Sequence, residues 1–354
     1  MKTALVIFGG VSSEHDVSTV SACSVIKNIP TDKYNVIMLG ITKDGRWLKF
    51  SGDVDLLPDD KWVDDKSCVP AIISPDSSCH GLLVMENNNF KAIHIDVVFP
   101  VLHGKNGEDG TIQGLLQLAQ IPFVGCDSVS SGVCMDKALT NAMADIAGIP
   151  QAKWLGITDY DYSKNEEEFL NKAESYLGFP IFVKPANAGS SVGVGKAKDK
   201  KSLVECIKNA FDCDYKIVLE ECIDGTEVEC AVLGNEEPIA STVGEIVPCN
   251  EFYDYQAKYV GDSGLHIPAR IGEDKIEQVR AAAKKAYKAL GCSGLARVDF
   301  FVRKSDGAVL LNEPNTIPGF TSISMYPKLF EASSIPYGEL LDKLFTYAIE
   351  KWEK

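Results

Sequence analysis

Positive charge is scarce in this chain: its 354 residues carry 35 Lys and Arg against 50 Asp and Glu, a formal net charge of −15. That balance excludes nucleic acid or an anionic membrane as an extended partner, while leaving local basic residues able to hold a small nucleotide. Long apolar runs are absent as well, none approaching the roughly 18 residues that span a bilayer. The opening MKTALVIFGG reaches glycine too soon to form the apolar region of a secretory leader, so a cytoplasmic protein is expected. Cysteine is plentiful, at 11, but no CxxC pair occurs and no His lies near the cysteines at zinc-finger spacing. This excludes a disulfide scaffold or zinc ribbon and predicts reduced thiols. A Walker A pattern is also missing, which disfavours an ordinary P-loop, and there is neither an internal repeat nor a low-complexity tract.

What is present suits a globular enzyme of two or three domains, with 45% hydrophobic and 24% charged residues. Over residues 1–125, short Val- and Ile-rich runs (ALVIFGG, YNVIMLGIT, AIHIDVVFP) alternate with helical patterns such as VSTVSACSVIKNI and TIQGLLQLAQ. Such alternation predicts a parallel α/β sheet with function at the strand ends. Residues 126–220 read as α+β, with a helix capped by Asp136, a Gly-rich turn after the strand PIFVKP, an amphipathic helix near Ser202 and the strand YKIVLEE. Residues 221–354 add antiparallel strands, a polar loop at 251–264, the helix IEQVRAAAKKAYKALG, a hairpin and a closing amphipathic helix.

The hairpin is the most informative element. VDFFV carries Asp299 just after Arg297, VLLNEPN carries Glu313 and Asn315, and a Lys-Ser-Asp-Gly turn joins them. Oxygen donors presented together select a hard cation such as Mg²⁺ and suggest phosphoryl transfer from a nucleotide, although the same residues could simply cap a hairpin. KPANAGSSVGVG, from Lys184 through Ser190 and Ser191, has the small residues that let backbone N–H groups cradle phosphate, and it also reads as an ordinary turn. Lys137 sits in the first turn of a helix, against the helix dipole, where an anion would explain it and solvent equally well. Glu220, Ile223 and Glu227 lie where a strand end could meet an adenine edge and a ribose, or form a solvated acidic edge. Glu14, in the turn GGVSSEHDVS, suits an ammonium group, Asp16 or Ser18 suit helix caps, and His15 reads as exposed. His103 lies in the glycine-rich loop LHGKNGEDGT, as a ligand contact or as a loop histidine bonded to backbone. The loop carrying Lys258 and Tyr259 could close over a site.

Taken in order, GGVSSEHDVS, LHGKNGEDGT, MDK, FVKPANAGSSVGV, FYDYQAKY, ARVDF and NEPNTIPGFTS resemble the D-alanine–D-alanine ligases of the ATP-grasp superfamily, from about Ala4 to the last helix. The resemblance implies three domains, 1–125, 126–220 and 221–354, with ATP between the second and third. It implies two Mg²⁺ ions with Mn²⁺ able to replace them, K⁺ as a candidate activator, D-alanine as substrate, and a homodimer. Lys137 and Lys184 then look like phosphate ligands, together with Ser190 and Ser191. Glu220 and Ile223 look like adenine contacts, Glu227 like the ribose ligand, and Asp299, Glu313 and Asn315 like the metal ligands. Arg297 and the Gly319 N–H would hold the oxyanion. Glu14 would bind the first ammonium within a triad with Ser190 and Tyr259. His103, Lys258, Ser324 and Met325 would contact the amino acids.

D-alanine–D-serine ligases share several of these motifs, but in that group an Arg typically follows the Ser of FTSxS, where this chain has Met325. A Met offers no donor to a hydroxyl and suits a methyl group. Tyr259 stands where ligases forming the D-lactate ester tend to differ. D-alanine is therefore the expected second substrate, with a D-serine ligase or a catalytically silent nucleotide binder as alternatives.

Overall fold

Three sheets carry the chain, and the structure, a computed structural model, describes residues 1–87, 89–247 and 264–353. In the first sheet β1 (Lys2–Gly9) is buried along six consecutive residues, as a central strand must be, and α1 (His15–Asn28) crosses from it to β2 (Tyr34–Ile41), which lies parallel. Four further strands, β3 (Trp47–Phe50), β4 (Val69–Ile73), β5 (Gly81–Glu86) and β6 (Asn89–His94), follow without a crossover α-helix and pair antiparallel, and β7 (Val97–Pro100) returns parallel to β1. The order is β6-β5-β4-β3-β2-β1-β7. The parallel character expected for the whole segment is thus confined to β2, β1 and β7; β3 to β6 are reached without a crossover α-helix, and neighbouring strands from β2 to β6 run antiparallel. The sheet curls so far that β6 leads into β7 through Ile95 and Asp96 alone, the Asp96 N–H donating to the Thr3 carbonyl at 2.9 Å.

Helices α2 (Thr111–Leu118), α3 (Ser128–Met135) and α4 (Lys137–Ile146) lead to the second sheet. Asp136 caps α4 as expected, accepting from the N–H groups of Ala138 and Leu139. The second sheet comprises β8 (Trp154–Thr158), β9 (Ile181–Pro185), β10 (Gly195–Ala197) and β11 (Lys216–Glu221) in the order β10-β9-β11-β8, all antiparallel. Ile181, Val183, Ile217 and Leu219 pack under α5 (Asp159–Leu177) and α6 (Lys200–Phe211). The two-residue period of a strand therefore turns Phe182, Lys184 and Glu220 to the opposite face.

The third sheet runs β14-β13-β12-β15-β16, formed by β12 (Gly225–Gly234), β13 (Ile239–Val247), β14 (Gly264–His266), β15 (Gly294–Arg303) and β16 (Val309–Asn315). Val228, Cys230, Val232, Val298 and Phe300 share a core with Val279, Ala283 and Tyr287 of α7 (Glu273–Ala289), so the alternate residues of β12 and β15 face away from that helix. After α8 (Met325–Ala332), α9 (Tyr337–Trp352) packs against the first sheet: Leu340, Leu341, Leu344 and Phe345 join one core with Val6, Phe8 and Phe99, and Tyr34 donates to Asp342 at 3.0 Å. That contact fixes the end of the chain against its beginning.

Candidate functional site

Two cavities meet where the three sheets converge. The larger, about 720 Å³, lies between the second and third sheets and is lined by Phe182, Lys184, Glu220, Ile223, Glu227 and Asn312 among others. Its floor follows from strand register: β11 pairs Glu220 with Phe182 and Val218 with Lys184, bringing the Lys184 and Glu220 side chains together on one face. Lys184 donates to Glu220 at 2.6 Å. Burial alone would lower its ammonium pKa, but the Glu220 carboxylate outweighs this and raises it. The lysine is held charged and aimed along the cleft, while the Glu220 carboxylate, also reached by the Asn141 amide at 3.4 Å, is engaged in orienting it.

The smaller cavity, about 530 Å³, touches Glu14, His103, Glu108, Arg297, Gly319, Ser324, Met325 and Lys328. Lys137, Ala188, Gly189, Ser190, Ile246 and Glu313 line both cavities, so the end of one opens into the other. At this junction Lys137 donates to the Ala188 carbonyl at 2.8 Å and stands 3.9 Å from Glu313. Ser190 and Ser191 take positive φ values of 51° and 59° in the turn between β9 and β10. Ser190 donates to Glu14 at 2.5 Å, joining the second sheet's turn to the first sheet's.

Glu14 is buried at the start of α1. The expected caps are not used: α1 begins at His15, which leaves Asp16 and Ser18 inside its first turn, and Ser18 bonds the Gly9 N–H and the Val101 carbonyl instead. His15, expected to be exposed, is 2% exposed, placed between the Gly10 carbonyl at 2.8 Å and Asp60 at 3.1 Å. A Cβ at Gly104, whose φ is +68°, would lie 2.5 Å from the Glu14 carboxylate. Gly104→Ala should therefore displace the Glu14 carboxylate and force a side chain into a left-handed backbone, lowering stability by about 1–3 kcal/mol, which urea unfolding would check.

His103 is buried and saturated, its Nδ1 3.0 Å from the Ile317 carbonyl and its Nε2 3.2 Å from the Ser21 hydroxyl, which also receives the Phe320 N–H. Burial pushes its imidazole pKa down, and the nearby Glu14 carboxylate opposes this only in part. Glu108 was given no role by its sequence, yet its carboxylate accepts from the Gly104 and Ile317 N–H groups at 2.8 and 3.2 Å and lines the cavity. Burial first, then the Glu14 charge, push its pKa up to about 8.

On the third sheet, register places Glu229, Asp299 and Glu313 side by side on β12, β15 and β16, with Arg297 opposite Asn315 two residues away. Arg297 makes a bidentate pair with Asp299 at 2.8 and 2.7 Å and lies 3.0 Å from Glu229. Burial opposes its charge, but those carboxylates more than offset it and hold the guanidinium pKa well above its ordinary value. The Asn315 amide nitrogen donates to Asp299 at 2.9 Å. Glu313 lines both cavities and Asn315 the smaller one, with the buried Asp299 next to them in the strand register; with the amide turned to present its oxygen these three residues could hold a hard divalent cation. Beside them Ser324 bonds the Thr321 N–H and hydroxyl at 2.9 and 2.8 Å, and Met325 is buried against Gly244. Lys258 and Tyr259 lie outside the described residues.

Comparison with known proteins places the chain in a family. Residues 3–126 match the model of the D-ala D-ala ligase N-terminus and residues 143–346 that of the D-ala D-ala ligase C-terminus. The chain belongs to the D-alanine–D-alanine ligase family. It is 53% identical to the D-alanine--D-alanine ligase of Acetivibrio thermocellus over 99% of its length and 96% of the relative's, and 51% identical to that of Caldicellulosiruptor bescii over 98% and 94%. Among solved structures it superposes on the VanG D-Ala:D-Ser ligase of Enterococcus faecalis with a TM-score of 0.90 and 42% identity, covering 98% of this chain and 99% of that one. The D-alanine-D-alanine ligase of Coxiella burnetii superposes with a TM-score of 0.87 and 34% identity, covering 100% and 96%. The fold expected from the motifs, an α/β ligase of ATP-grasp architecture, is the one observed.

Proposed function

We propose that this ligase joins two D-alanines into a dipeptide through a D-alanyl phosphate, with ATP in the larger cleft and the amino acids in the smaller cavity. The observation that carries the reading is the shared wall at Lys137, Ala188–Ser190 and Glu313, which lets the phosphate end of a nucleotide meet a carboxylate held beside Glu14. Ile223 and Glu227 line the cleft where the adenosine would lie, and Lys137 and Lys184, with the turn at Ser190 and Ser191, face its phosphates. Glu14, steadied by Ser190, holds the first ammonium, with Tyr259 assigned as their third partner. The first carboxylate attacks the γ-phosphorus and displaces ADP; the second amine, freed of its ammonium proton, then attacks the acyl carbon, and phosphate leaves as the amide nitrogen gives up a second proton. Arg297, fixed in direction by Asp299, and the Gly319 N–H face the oxyanion that develops in that step. His103 keeps the 317–320 segment in place for it. Divalent metal on Asp299, Glu313 and Asn315, two Mg²⁺ ions or Mn²⁺ by our reading, supplies neutralisation of phosphate charge when bound. We assign the second carboxylate to Lys258 and Ser324, domains to 1–125, 126–220 and 221–354, and a cytoplasmic homodimer activated by K⁺.

For the second substrate, the apolar Met325 wall favours a methyl group over a hydroxyl, and the curated relatives cited are D-alanine--D-alanine ligases. The structural likeness to a D-Ala:D-Ser ligase keeps D-serine as the second reading. Phosphate release with ATP and Mg²⁺ should be robust on D-alanine alone, with the dipeptide identified by mass. Activity only in mixtures with D-serine would favour the second reading, and silence throughout would overturn both.

A further inference from the structure

We propose that Lys328 recognises the free α-carboxylate of the second amino acid and makes the enzyme select acceptors that carry one. This rests on the ligase reading and adds a residue to it. Three cationic side chains line the 530 Å³ cavity among the described residues: Lys137, Arg297 and Lys328. Lys137 is engaged by the Ala188 carbonyl and Glu313 at the boundary the two cavities share, and Arg297 is held by Asp299 and Glu229. Among the described residues Lys328 makes no hydrogen bond or ion pair.

Its place in the chain agrees with this. Lys328 is the fourth residue of α8, four after the N-cap Ser324, and both residues line the cavity. Ser324 makes no side-chain cap to α8. Ile246, Leu265 and Met325 in the same cavity are apolar, and its acidic residues are Glu14, Glu108, Glu229 and Glu313. The first substrate's carboxylate is consumed as acyl phosphate. The second one persists through the reaction and enters a cavity rich in negative charge, where an uncommitted ammonium offsets it.

The test sets D-alanine against D-alaninamide as acceptor, both offering the same amine, with D-alanine at saturation as donor and both products quantified by mass. Wild type should form the dipeptide in large excess over its amide. Lys328→Met should raise KM for the second D-alanine by about 10–100-fold, the effect of losing one charge-assisted contact. KM for ATP and for the first D-alanine should stay constant, and preference for D-alanine over its amide should fall by a similar factor. Lys328→Arg should restore the preference, and unchanged thermal unfolding would show that the fold is intact. An unaltered second-site KM and amide ratio in Lys328→Met would overturn the proposal while leaving the ligase reading in place. A wild type that forms no dipeptide would overturn that reading itself.

Discussion

Glu313→Gln should lower dipeptide formation by about two to three orders of magnitude and leave the fold in place. The side chain is 31% exposed, lines both cavities and stands opposite Asp299 in the β15–β16 register. An amide keeps the oxygen but removes the charge, and several kcal/mol of transition-state charge stabilisation corresponds to roughly that loss in rate. Because the carboxylate lies beside Lys137, the variant should also form ADP more slowly in a rapid-quench single turnover, which places the loss on the first chemical step. Phosphate release across a Mg²⁺ titration, with thermal unfolding alongside, checks this. Normal turnover at saturating Mg²⁺ would remove Glu313 from the metal set, and a melting temperature lowered by many degrees would make the residue structural.

How much of this was legible in the sequence depended on how each signal arises. The hairpin of β15 and β16 was visible because a period of two and a Lys-Ser-Asp-Gly turn are local patterns, and its register then places Arg297, Asp299, Glu313 and Asn315 as the alternation implies. The helix α5 was not read: only Phe169, Leu170, Ala173 and Leu177 are buried in its 19 residues, so its apolar stripe is thin against many acids. The antiparallel half of the first sheet escaped because β3 to β6 are short, β3 and β4 are separated by residues 51–68, and AIHIDVVFP conceals two strands separated at Ile95 and Asp96. Around the site, single-residue roles depended on partners far away in sequence. His15 looked like a polar turn residue, since Asp60, which meets its ring, lies 45 residues on. Glu108 looked like one acid in a loop, since its second N–H donor, Ile317, is 209 residues distant. Long-range pairing of this kind leaves no periodic trace.

Glu108 also gives the chain a pH dependence whose sign can be worked out. Its carboxyl titrates at about 8 when folded against an ordinary 4.5, through burial first and the Glu14 charge second. A carboxyl with a raised folded value holds its proton more tightly in the native state. Its contribution to stability is therefore full below about 4.5, declines as the unfolded chain ionises, and is lost once pH passes about 8. Each tenfold gain in proton affinity is worth about 1.36 kcal/mol, so the total is of order a few kcal/mol, less whatever the cavity solvent screens. Glu108→Gln should remove that slope. The variant loses little at pH 5, roughly 1–2 kcal/mol if its amide nitrogen faces the Gly104 or Ile317 N–H, and equals or exceeds the wild type at pH 9. Urea unfolding of both at the two pH values reads the crossing directly, and parallel stabilities would mean that Glu108 is already ionised in the fold. D-alanine supplies the complementary arm. With the first ammonium on Glu14, as proposed above, its charge would offset the repulsion that keeps Glu108 protonated, so binding should release that proton. Over the range where the amine itself stays charged, affinity for the first D-alanine should therefore rise with pH in the wild type and stay flat in Glu108→Gln.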